Sequence, residues 1–178
     1  MFQIKSNQRN NNCTIQRGFT LIESLVAIAI LITAILGPMS IAANGIASAT
    51  YARDQATAFF LAQEGLEYVR NVRDTNALAR VDWLTGLTAC TSSACVIDSP
   101  GNTIGTCSGV CPVVRYDNTT NEYGYDPAWS ATNFTRAITI TSTVSGKEII
   151  VSSTVTWQRS ALASRSITIN ETLFNWHR

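Results

Sequence analysis

Four cysteines, Cys90, Cys95, Cys107 and Cys111, fall within 22 residues in a stretch rich in Gly, Ser and Thr, apart from a fifth, Cys13, near the start. Two chemistries suit such a set. The C-x4-C and C-x3-C spacings offer four thiolates for a structural zinc, but zinc sites favour the tighter C-x2-C. The even number instead reads as two disulfides in an oxidising compartment. Cys90 with Cys95 and Cys107 with Cys111 is the preferred pairing, because short loops close most easily. A second set, Asp117, Asn118, Asn121, Glu122 and Asp126, collects oxygen ligands suited to calcium, yet its spacing does not follow the EF-hand loop, and a solvated loop is the simpler reading. A third is the single carboxylate of Glu23 inside the apolar run GFTLIESLVAIAILITAILGP. The one histidine, His177, is the penultimate residue, and no Ser/His/Asp set, P-loop or dinucleotide fingerprint occurs. Enzymatic chemistry, a bound cofactor and a metal centre are therefore not expected.

These residues sit in a chain of 178 residues, enough for one ordinary domain plus an appended segment. Charged residues make up only 14%, well below the roughly 25% usual for soluble domains. Lys5, Arg9 and Arg17, with no acid, occupy the first 18 residues, so the net charge of +1 hides a slightly acidic remainder. No clustered basic face suggests nucleic acid as a partner.

From Phe19 to Met39, 21 residues carry Glu23 as their only charge. A helix of that length spans about 31 Å, the thickness of a bilayer core. Positive charge ahead of it predicts a cytoplasmic N-terminus and an external remainder. A cleavable signal peptide, cut near Ile46-Ala47-Ser48-Ala49, is the competing reading. Its apolar region would be too long. It would also have to tolerate an intramembrane carboxylate, which costs up to about 2.5–3.5 kcal/mol near the bilayer centre.

The run Arg17-Gly18-Phe19-Thr20-Leu21-Ile22-Glu23-Ser24-Leu25-Val26-Ala27 resembles the prepilin processing motif of type IV pilins and type II secretion pseudopilins. The resemblance implies a basic leader, residues 1–18, removed by a prepilin peptidase between Gly18 and Phe19, with N-methylation of the new Phe19 amine. It also implies a role for Glu23: in the filament it pairs with the terminal ammonium of a neighbouring subunit, a compensation that makes an intramembrane charge tolerable. The implied partners are the peptidase, other pilin or pseudopilin subunits and lipid of the bacterial cytoplasmic membrane. Looser similarity at Ala62-Gln63-Glu64-Gly65-Leu66-Glu67, Val155-Thr156-Trp157 and Thr172-Leu173-Phe174-Asn175-Trp176 points to minor pilins of the V type or I-type pseudopilins. The alternative is a single-pass, membrane-anchored extracellular binding or adhesion module that never polymerises.

The elements that must position these residues follow from periodicity. Residues 19–39 form a membrane helix, and 40–74 continue it after Gly37-Pro38, a pair expected to kink or loosen it. Ala49, Ala52, Ala56, Phe59, Leu66 and Val69 mark the expected packing face. Residues 75–132 read as an irregular, cysteine-containing region. In 133–178, a largely apolar set alternates with polar residues through Phe134, Arg136, Ile138, Ile140 and Val144, then Ile149, Val151, Val155 and Trp157, then Ile167, Ile169 and Leu173. That is the period of a three-stranded antiparallel meander. Its apolar face needs cover, and the amphipathic helix is the only candidate, giving an α+β, pilin-like head.

Overall fold

The computed structural model describes residues 18–144, 146–159 and 163–175. Residues 1–17, which fall in the segment expected to be a basic leader and include Cys13, and the C-terminal Trp176 and His177 lie outside them. The chain divides into two compact units, Met1–Ala47 and Ser48–Arg178.

The first unit is helical from Leu21, the start of α1, an unbroken helix of 58 residues that runs to Leu78. The expected limits of Phe19 and Asp74 are thus shifted inward by two residues and outward by four. Thr20 caps it: its hydroxyl accepts the Glu23 amide at 3.3 Å, which satisfies one of the donors left free in a first helical turn. Pro38 has no amide to offer the Ala34 carbonyl, yet the helix passes through it. The Thr33 hydroxyl folds back on the carbonyls of Ala29 and Ile30, at 3.1 and 2.9 Å, and so hides its polarity within the helix. Leu21–Leu78 includes a window long and apolar enough to cross a membrane, and none of that window is buried in the protein.

In the second unit, the rest of α1 packs on an antiparallel sheet of seven strands. After α1 come α2 (Ala89–Ser92), β1 (Cys95–Asp98), β2 (Thr103–Thr106), β3 (Val113–Tyr116), β4 (Tyr123–Gly124), β5 (Ser130–Val144), β6 (Glu148–Trp157) and β7 (Arg165–Phe174). The expected meander is present as β5, β6 and β7. It is not the whole sheet: β5 gives one edge to β6 and the other to β3 and β1 in succession, while β2 pairs with β1 and β4 with β3. The region 75–132 is therefore partly sheet. Strands of two to four residues are too short to display a period.

Alternation decides what is buried. Phe134, Arg136, Ile138 and Ile140 on β5 and Ile149, Val151, Ser153, Val155 and Trp157 on β6 face the core. Val144, expected on that face, is exposed, because the register slips between Ser142 and Val144 and a shift of one residue turns a side chain to the other face.

The helix meets this face with Asp54, Ala58, Leu61, Ala62, Gly65, Leu66 and Val69. Only Leu66 and Val69 of the expected stripe are among them; Ala49, Ala52, Ala56 and Phe59 are exposed. The true face is rotated by roughly a quarter-turn. The reason is size and pairing rather than hydropathy. Gly65 and the alanines permit close approach of sheet and helix, and Asp54 is buried beside Arg159, whose Nε lies 3.3 Å away. A Cβ added at Gly65 would stand 2.7 Å from Ile138 Cδ1 and 3.1 Å from Ser153 Oγ. Gly65→Val is accordingly expected to destabilise this unit by about 1–3 kcal/mol through overpacking; an unchanged urea midpoint would contradict the close approach.

Candidate functional site

The residues singled out by type and spacing fall into two places. Gly18, Phe19 and Glu23 lie in the first unit, and the four clustered cysteines and the acidic loop lie in the second.

Gly18, Phe19 and Thr20 are exposed and non-helical, and they lead directly into the first turn of α1. The Gly18–Phe19 peptide thus lies outside the helix, on exposed residues. A Cβ at Gly18 would meet no atom, so the fold itself makes no demand for glycine there. Glu23 is three residues after the cap, where a carboxylate also complements the positive end of the helix. Thr20-Leu21-Ile22-Glu23 is the T-x-x-E pattern of a capping box. Sequence reading missed Thr20, although that spacing was available to find it. Ser24 adds a second tie, its amide and hydroxyl both donating to the Thr20 carbonyl, at 3.1 and 3.3 Å.

The four clustered cysteines form two disulfides, Cys90–Cys95 and Cys107–Cys111. The first joins α2 to β1 within the apolar core, beside Trp83, Leu87 and Ile97. The second closes the turn after β2, where the Cys107 amide donates to the Ala94 carbonyl at 2.9 Å.

In the acidic loop the carboxylates of Asp117 and Asp126 serve as local turn caps. Asp117 Oδ1 accepts the Thr119 amide at 2.8 Å and Oδ2 accepts the Thr120 hydroxyl at 3.0 Å. The Thr119 amide is the main reason the Asp117 carboxyl is held below its ordinary range. Asp126 accepts the Ala128 amide at 2.8 Å, and Asn121 accepts the Tyr116 hydroxyl at 2.7 Å. Among the described residues no three His, Cys, Asp or Glu side chains converge as metal ligands.

A charged group that sequence reading placed on the core face without assigning it work is Arg136, with 0% of its surface exposed. Its guanidinium donates to the Leu61 carbonyl at 3.0 Å, to the Ile97 carbonyl, and to Glu64 at 3.0 Å. One side chain therefore joins α1, β1 and β5. Burial raises the phenol of nearby Tyr125 above its ordinary value, and the Arg136 charge opposes that rise.

Residues 13–37 match the family model described as the prokaryotic N-terminal methylation motif. The chain carries the N-terminal methylation motif. With the long apolar helix that follows, the methylation motif supports a type IV pilin-like or pseudopilin subunit. Motifs of this kind are prepilin peptidase cleavage sites, and the family they mark is one of structural subunits that assemble into filaments. Comparison with curated proteins and with solved structures returned no match.

Proposed function

We propose that this chain is a minor subunit of a type IV pilus-like or type II secretion filament. In this reading the peptidase removes residues 1–18, Phe19 becomes the methylated N-terminus, and residues 19–39 hold the subunit in the cytoplasmic membrane until assembly. The head then lies outside, where an oxidising compartment suits two disulfides. Glu23 supplies the counter-charge for the Phe19 ammonium of an adjoining subunit. The observation that carries the reading is the match of residues 13–37 to the methylation motif. It is supported by the exposed, non-helical Gly18–Phe19 peptide, at which glycine has no packing duty.

Shearing tests polymerisation apart from anchoring. Filaments sheared from cells with an active prepilin peptidase should contain the chain, and filaments from peptidase-deficient cells should lack it. A chain that is cut at Gly18 yet stays wholly in the membrane fraction would instead be an anchored binding module.

A further inference from the structure

Strands at the rim of a sheet are ordinarily short, bulged, or broken by lysine or proline, because a free row of amides and carbonyls templates pairing with another chain. On one side of this sheet the outer strands β2 and β4 have four and two residues. The other side differs. Strand β7 has ten residues, contains neither lysine nor proline, and keeps an unbroken register with β6 along its whole length. It pairs with no strand but β6, and residues 165–173 make no other backbone hydrogen bond among the described residues.

The sequence of β7 is self-complementary about Thr168. Pairing it antiparallel with a second β7, Thr168 opposite Thr168, sets Arg165 against the second copy's Glu171 and Ile167 against its Ile169, twice over by symmetry. Directly opposed residues share a face. All four of these contacts therefore fall on the face turned toward α1, where Ile167 and Ile169 are only half-buried in one copy. Between β7 and α1 lies a groove of about 620 Å³ lined in part by Phe60, Leu66, Arg70, Ile169 and Glu171, with Phe60 67% exposed.

Charge points to the same occupant. Arg70 is shared by Glu67 and Glu171, each 2.5 Å away, so two carboxylates there hold one guanidinium. Arg165 of a second copy would neutralise the surplus. Within its own chain Arg165 lies over the Tyr51 ring, at 4.6 Å, and donates to the Tyr51 hydroxyl at 3.4 Å, but meets no carboxylate among the described residues. We propose that the free edge of β7 is a homotypic docking surface, on which a second copy of this chain adds its own β7 antiparallel in the register centred on Thr168. Such a contact is two-fold and closed on itself, unlike the head-to-tail contacts that propagate a filament.

Symmetry supplies the test. Across such a pair the two Thr168 Cα atoms lie about 4.5–5.5 Å apart, within disulfide reach, whereas the two Ser166 Cα atoms lie roughly 14 Å apart. The full-length chain carrying Cys13→Ser is purified in detergent and oxidised, with Thr168→Cys or Ser166→Cys added. Thr168→Cys should give at least fivefold more disulfide-linked dimer than Ser166→Cys. Arg165→Glu should lower that yield several-fold, and Arg165→Glu combined with Glu171→Arg should restore it. Equal linkage at both positions overturns the proposal. So does the absence of linkage at Thr168→Cys in a variant with the wild-type far-ultraviolet spectrum, or a charge swap that fails to restore dimer while retaining that spectrum.

Discussion

Arg136→Met will lower the stability of the head by about 2–4 kcal/mol, a large share of the roughly 5–15 kcal/mol that holds a domain folded. Methionine fills much of the same space, so the loss is one of bonding rather than volume. The Arg136 guanidinium is fully buried and donates to the carbonyls of Leu61 and Ile97 and to Glu64. Without it, Glu64 loses its counter-charge in a partly buried position, its side chain being one-third exposed. Glu64→Gln will also destabilise, because it leaves a buried cation with no anion. The double variant Arg136→Met/Glu64→Met should recover much of the loss, since replacing both members of a buried pair by apolar groups is often neutral. Thermal unfolding of the full-length protein in detergent, followed at a β-sheet wavelength, reads all three. An unchanged Tm for Arg136→Met would show that this network does not hold helix to sheet.

Glu23→Gln is the second large effect, and it separates the charge at the helix start from the filament role proposed for the same residue. Glutamine keeps the capping-box geometry with Thr20, whose hydroxyl accepts the residue-23 amide whichever side chain is present. Removing the charge costs the helix terminus only about 0.3–1 kcal/mol. Insertion and cleavage at Gly18 should therefore stay close to wild type, and a neutral amide should even ease entry into lipid. Filament incorporation should fall at least roughly tenfold, since stranding the neighbour's ammonium in low dielectric needs to cost only about 1.4 kcal/mol to have that effect. Quantifying processed chain in membranes and in sheared filaments measures both. Unchanged incorporation would reduce Glu23 to a cap and a tolerated interfacial charge.

What could be read in the sequence depended on whether an element was long enough to show its period. Strands β5 to β7 announce themselves by ten or more residues of alternation, and the α+β layout follows from the need to cover their apolar face. Strands β1 to β4 are too short for that, and the Gly, Ser and Thr around them look like loop. The buried face of α1 was misplaced for another reason. Alanine occurs on both sides of this helix, and the true face includes Asp54 and Gly65, which no hydropathy count selects. Arg136 showed its position by alternation but not its work, because the carbonyls of Leu61 and Ile97 are brought to it only by the packing of α1 and β1. The N-terminal methylation motif was the most legible part, since its residues are contiguous and need no fold to bring them together.

The mass and N-terminal sequence of the chain, extracted from membranes of cells that contain an active prepilin peptidase, bear most directly on its place among filament subunits. The account predicts a polypeptide that begins at Phe19, lacks residues 1–18 and carries one methyl group on its terminal amine. A chain that retains its leader in those cells, or one cut near Ala49, would contradict it.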